Sequence, residues 1–192
     1  MSETYVPPFA QPLAGFRSRK AAQVAAFFAV KNNGPIDKLK LIKLIYLAER
    51  QFVGNNHHPM LYDELYSLPH GPICSSTLNC IDGYLYEEMW AHFVAKNGNR
   101  VVATKRFSND DLDELSRAEI QCLLSTWDNY GYMTSSQLRN YTHEYCSEYT
   151  EIEKGRVPIS YKAILEAFGD DDAERVENRI SDFRRLESML AK

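Results

Sequence analysis

Long apolar runs are missing from this chain. The most apolar stretch, AAQVAAFFAV over Ala21–Val30, is ten residues long and contains Gln23. A membrane-spanning helix needs about 20 residues, so no membrane segment is expected. A basic excess is missing too. The net charge is −4, whereas a general nucleic-acid binder carries a cationic surplus to neutralise phosphates. Paired cysteine motifs are absent: Cys74, Cys80, Cys122 and Cys146 form no CxxC, and in a reducing compartment they are expected as free thiols. The opening MSETYVPPFAQPLAGF lacks the basic start and apolar centre of a signal peptide, which makes the expected location cytoplasmic. No GxxxxGK[ST] or GxGxxG loop is present to hold phosphates, and no GxSxG elbow to present a nucleophile.

What is present suits one soluble domain. The 192 residues are 44% hydrophobic and 25% charged, with twelve tyrosines and nine phenylalanines to fill a core. Pro7, Pro8 and Pro12 keep residues 1–17 from forming a long helix, so they read as an extended arm. Ser18 is a suitable N-cap for a helix to about Asn32, with Ala21, Ala22, Ala25, Phe28 and Ala29 at helical spacing. NNGP ends it.

Asp37 caps the next helix, expected over residues 38–54. Leu39, Leu41, Ile42, Leu44, Ile45, Tyr46, Ala48 and Phe52 cover most of its circumference, and Lys40, Lys43, Arg50 and Gln51 share one narrow stripe, read as its solvated edge. A helix this apolar is expected at the centre of the core. Glu49 falls on the apolar side, where a carboxylate costs several kcal/mol unless paired or protonated. It is either a structural hydrogen-bond acceptor or an acid lining a groove.

Gly54, Asn55, Asn56 and Pro59 mark a loop. MLYDELYSL, residues 60–68, has mixed periodicity and fits a short extended segment or a helical turn. Pro72 is expected to open a helix to about Trp90, with Gly83 as a bend. Two β-prone runs flanking NGN predict a hairpin over residues 92–107 with an Asn-Gly type I′ turn. Ser116 and Glu119 make a capping box for another helix. Thr134 caps the one that follows, ISYKAILEAFG is a short helix, and the last starts near the acidic DDDAE, suited to the positive end of its dipole. The expected fold is mostly α, a single compact helical domain around the 38–54 helix with one small β-hairpin.

Candidate chemistry is sparse. His70 with Cys74, and His143 with Cys146, have spacings that two metal ligands could use, but tight CxxC or HxxxH pairs are missing. No metal or cofactor is expected. Asp63 and Glu64 are neighbours, which in an extended segment point to opposite faces and make no acid–base pair. The Lys38, Lys40 and Lys43 stripe could touch phosphate, but nothing basic reinforces it, so nucleic-acid binding is not favoured. These features favour a binding module over an enzyme.

Three stretches carry a family resemblance, the third and slightest being a charged, helical C-terminus. KLIKLIYLAERQFVGNNHHPMLYDELYSLPHGPI resembles the signature of the Panacea domain, the SocA-like antitoxin domain, through Lys40, Leu41, Lys43, Leu44, Tyr46, Ala48, Pro59, Leu61, Asp63, His70, Gly71, Pro72 and Ile73. LSRAEIQCLLSTWDNYGYMTSSQLRNYTH resembles a later part of it, through Ser116, Glu119, Tyr130, Gly131, Leu138, Thr142 and His143. EYCSEY stands where the family often has a Pro-Glu-Trp-like segment. The resemblance spans roughly residues 18–150. Outside the extended arm at 1–17 and a C-terminal helical extension at 156–192, expected to pack on the same domain, the resemblance implies a Panacea-like helical domain at 18–155. It also implies the antitoxin of a two-gene toxin–antitoxin system, which neutralises a cognate toxin encoded nearby by direct protein binding. One member type is an adaptor that delivers its toxin to the ClpXP protease. An enzyme of unrecognised type (hydrolase or nuclease) and a DNA-binding autoregulator stand as alternatives. Gly71 removes a side chain where the backbone turns, Pro72 fixes φ beside it, and His70 sits at the tip. This corner is structural or a partner-binding surface shared by Tyr62, Asp63, Glu64, Tyr66, His70, Gly71 and Pro72.

The missing ligand spacings generate the first prediction. The melting temperature is expected to be the same with and without chelator. A loss of about ten degrees, on the order of a few kcal/mol for a chain of this size, would contradict it.

Overall fold

A computed structural model describes residues 13–190. Residues 1–12 of the expected arm lie outside the described residues. Among the described residues the chain is mostly helical, with eight α-helices and two three-stranded antiparallel sheets.

Helix α1 covers Ser18–Lys31 and buries its alanine-rich face. Its N-cap is Arg17, without a side-chain bond. The Ser18 hydroxyl, expected to cap it, accepts from the Trp90 indole N–H instead, at 3.2 Å. Strand β1, Ile36–Asp37, leads into α2, Lys38–Asn56. Asp37 caps α2 as expected, its Oδ1 accepting from the backbone N–H of Leu39 and Lys40 at 3.0 and 3.3 Å. The helix runs two residues past the expected Gly54 and is closed by His57 in the left-handed region at φ +57.

The polar stripe of α2 is not a solvated edge. Lys43 is 0% exposed. The Lys40 ammonium donates to the Gly131 carbonyl at 2.6 Å, and Arg50 holds the Glu148 carboxylate at 2.6 and 3.1 Å. Gln51 donates to Ser125 Oγ at 3.3 Å. Helical wheels separate polar from apolar faces, and here the polar face became a seam because its long donors reach acceptors on neighbouring elements.

Strand β2 (Leu65–Leu68) and strand β3 (Gly71–Cys74) form a hairpin. The helix expected from Pro72 to Trp90 is therefore absent at its start: Pro72 pairs with Ser67 in the ladder. It is replaced by α3 (Ser75–Ile81) and a short α4 (Glu87–Trp90). Between them Gly83 has φ +81, the backbone that only glycine adopts freely.

The 92–107 hairpin is present in shorter form, as β4 (Val94–Asn97) and β5 (Arg100–Ala103), and β1 adds a third strand against β5. Its turn is Gly98–Asn99. Gly98 has φ +58 while Asn99 has none of the positive φ that a type I′ turn needs at its second centre, so the pattern is type II′ with glycine first.

Helices α5 (Arg117–Tyr130) and α6 (Ser135–Tyr145) both begin with capping boxes, Ser116 with Glu119 and Thr134 with Gln137. Strand β6 (Val157–Ile159) pairs with β2, giving the second sheet the order β3-β2-β6, which the sequence patterns did not suggest. Helices α7 (Tyr161–Ala167) and α8 (Ala173–Leu190) end the described chain. Helix α2 packs against α1, α5, α6, α7 and β3. On this helix Ile45 is 1% exposed. Ile45→Ala is expected to cost ~2–5 kcal/mol by urea unfolding; a loss under ~1 kcal/mol would mark α2 as peripheral.

Candidate partner-binding site

The corner around His70 is the turn of the β2–β3 hairpin. Leu68 pairs with Gly71, leaving Pro69 and His70 as the two turn residues. Proline presets φ for the first turn position, and glycine is favoured after the second. Gly71 has φ +95. A Cβ there would lie 2.8 Å from Lys43 Nζ, 2.9 Å from Thr142 Oγ1 and 3.1 Å from His143 Cδ2. Conformation and crowding both demand glycine.

Two buried carboxylates hold the segment that leads into the hairpin. Glu49, 1% exposed, accepts from the backbone N–H of Met60 at 3.0 Å and of Leu61 at 3.1 and 3.2 Å. The Tyr161 hydroxyl lies 2.9 Å from Glu49 Oε1 and 3.1 Å from the Asp63 carbonyl, and its single proton serves one of them at a time. Burial pushes the Glu49 carboxyl up to about 7, against these hydrogen bonds. Glu49 is thus a structural acceptor, not a groove-lining acid.

Asp63, also 1% exposed, caps α3 from outside it. Its Oδ1 accepts from Ser76 N–H at 2.8 Å and Glu64 N–H at 2.7 Å. Its Oδ2 takes Thr77 N–H at 2.9 Å and the Thr77 hydroxyl at 2.6 Å. Burial raises its carboxyl despite those donors.

The seven candidate residues therefore do not form one surface. Asp63 faces inward as a cap and also borders the cavity beside β6 that Glu64 and Tyr66 line. Gly71 and Pro72 are buried in β3 and shape the corner through their backbone. Tyr62 stacks on Phe183 of α8 with ring centroids 4.4 Å apart, and its carbonyl accepts from Arg184 at 3.2 Å. Glu64 and Tyr66 line a cavity of about 540 Å³ beside β6, where Tyr66 donates to Glu64 at 3.2 Å and carries the Arg156 guanidinium over its ring at 4.2 Å. His70 is exposed and borders a different groove.

That second groove holds about 500 Å³ between the hairpin, the start of α2 and α3. Leu39, Ile42, Leu68, Ile73 and Leu78 make it apolar. At its hairpin end lies Lys43, which sequence reading had placed in solvent. Its ammonium donates to the Pro72 carbonyl at 2.7 Å. Burial lowers its pKa to about 7, with the Arg139 guanidinium of α6 acting in the same direction. His143 is lowered as well, first by burial and then by Arg139 and Lys43. His143 stacks on Tyr149 at 4.4 Å, and the Tyr149 hydroxyl donates to the Leu68 carbonyl at 3.1 Å. Lys43, Gly71, Thr142 and His143 belong to separate sequence stretches that the fold brings to one point. The one signal in the sequence that could have found this cluster is that the first two family-like stretches contribute to it.

Among the described residues, no group of three or more His, Cys, Asp or Glu side chains is arranged to hold a metal ion, and no helix is long and apolar enough to cross a membrane. All four thiols are buried and free, Cys74 at the end of β3 and Cys146 just after α6.

Residues 41–150, more than half of the chain, match the family model described as antitoxin SocA-like, Panacea domain. No curated protein and no solved structure matches the chain. The match covers the hairpin, Ile42 and Lys43 of the groove's α2 wall but not Lys38 or Leu39, and the α6 residues behind Gly71.

The buried ammonium generates a pH prediction. Lys43 ionises near 7 in the fold and near 10.5 when unfolded, so above 7 the unfolded chain binds the extra proton and stability rises with pH. Between about pH 7 and 8.5, below the thiol range, Lys43→Met is expected to flatten that rise in urea unfolding. An unchanged slope in the variant would show that Lys43 is not the group responsible. The Glu49 carboxyl acts in the lower window, from 4.5 to about 7, where its raised pKa makes stability fall as pH rises.

Proposed function

The chain belongs to the SocA-like antitoxin family that carries the Panacea domain, and we propose that it neutralises a cognate toxin encoded nearby by binding it directly, without turnover of a substrate. The observation that carries this reading is the apolar groove at the hairpin end, lined in large part by family-matched residues and bordered by the exposed His70. Concave apolar surface beside a rigid turn is what a partner's side chains can fill, and such anchors supply most of the affinity of a protein interface. The hairpin is rigid for stated reasons: a glycine that tolerates no Cβ, and caps and ladders on both sides of it. We place the toxin on this groove with His70 at its rim, and leave Tyr66 and Glu64 on the other side of the hairpin.

Growth rescue on co-expression with the neighbouring gene's product tests the role. Leu39→Asp combined with His70→Ala, with the fold checked by circular dichroism, is expected to weaken the complex at least tenfold, about 1.4 kcal/mol, and to lose rescue. Tyr66→Ala is expected to keep both. The opposite pattern would move the interface to the β6 side, and rescue by every variant would remove it from the hairpin.

A further inference from the structure

The charges around the groove are unequally satisfied. Asp37 at its mouth already accepts from two backbone N–H groups and from the Ser135 hydroxyl at 2.6 Å. Asp82 is held between Lys38 at 2.8 Å and Lys96 at 2.5 Å. The acids of the groove are therefore spoken for. Among the described residues Lys43 has no such partner: its ammonium has a neutral carbonyl acceptor and no carboxylate. Behind it stand further basic groups. Arg139 Nε and His143 Nε2 are buried with no hydrogen-bond partner, a condition that buried polar atoms rarely keep. His70 borders the groove from the turn. An apolar floor thus ends in a concentration of basic groups, in a setting where burial weakens the screening of their charge.

We propose that this groove receives an apolar segment of the partner protein that presents one carboxylate, its apolar side chains over Leu39, Ile42 and Leu78 and its carboxylate directed to Lys43 and His70. The inference rests on the groove being the docking surface, and specifies the chemistry that fits it. A cationic segment would disfavour protonation of these basic groups; a neutral one would leave a protonated Lys43 without a carboxylate partner. Binding is coupled to protons. A carboxylate arriving beside Lys43 holds the ammonium protonated, so affinity rises as pH falls through about 7. The groups that face Lys43 are Arg139 and His143 from α6, His70 from the turn, and the Cys74 and Cys146 thiols; Glu151 lies near His143 and opposes its basic neighbours. Protonation of either histidine acts in the same direction as protonation of Lys43.

The full chain, labelled with ¹⁵N, tests this with hexanoate as probe and hexylamine and acetate as comparators. Hexanoate is expected to give saturable shifts at the amides of Leu39, Gly71 and Ile73. It should bind at least about fivefold more tightly than either comparator, and more weakly at about pH 8.5 than at about pH 6. Lys43→Met is expected to reduce hexanoate affinity about fivefold. Because Lys43 is buried, His70→Glu at the exposed turn provides a second variant, expected to weaken hexanoate and strengthen hexylamine. Equal binding of hexanoate and hexylamine, shifts that do not saturate, or affinity unchanged in both variants would overturn the assignment. Neutralisation that survives Leu39→Asp with His70→Ala overturns the docking reading. Loss of neutralisation in that variant, with no preference for hexanoate, overturns the carboxylate assignment alone.

Discussion

Acceptance of backbone N–H groups by two buried carboxylates is the constraint on which the rest of the structure depends. Between the end of α2 and the start of β2 the chain is irregular, and the first-turn amides of α3 have no helical acceptors. Glu49 takes those of Met60 and Leu61, and Asp63 takes those of Ser76 and Thr77. Each oxygen pair thereby ties a segment to an element distant in sequence. Such carboxylates are costly to desolvate, and what offsets the cost is the set of donors that would otherwise be buried without acceptors. With both ends held, the short hairpin between them has one direction in which to project.

That projection sets the corner against α2 and α6. Gly71 lets the turn approach until the Lys43 ammonium, the Thr142 hydroxyl and the His143 ring surround its Cα. Lys43 gives up water for one carbonyl bond, and burial lowers its pKa until the neutral form competes at neutral pH. A buried lysine held by a carbonyl rather than a carboxylate stands at the end of the apolar groove on which the proposed toxin-binding role rests.

The segment after residue 150, beyond the family match, is woven into the same body. Strand β6 lies against β2 with Pro158 opposite Tyr66. The Tyr161 hydroxyl reaches the Glu49 site, and the Arg184 guanidinium holds the carbonyls of Tyr62 and Asp63 at 3.2 and 2.9 Å. The polar network of the matched residues is therefore completed by residues outside the match.

Local rules operating within a few residues were legible in the sequence: the Asp37 cap, the Ser116–Glu119 box, the Thr134 cap, the NGN hairpin, the helical periodicity of α1, and the family-like stretches. They depend on spacing along one element, and spacing is what a sequence displays. The sequence also raised the Glu49 question correctly, as a carboxylate on an apolar face, without naming the donors that answer it. Only the tertiary structure decided that Pro72 lies in a strand, that Asp63 points inward, that Tyr62 is covered by Phe183, and that β6 completes a sheet. It likewise decided that Lys43, Gly71, Thr142 and His143 meet. Each of these depends on partners dozens of residues away, and a lysine on a helical wheel looks the same whether its ammonium reaches water or a carbonyl brought over it by another element.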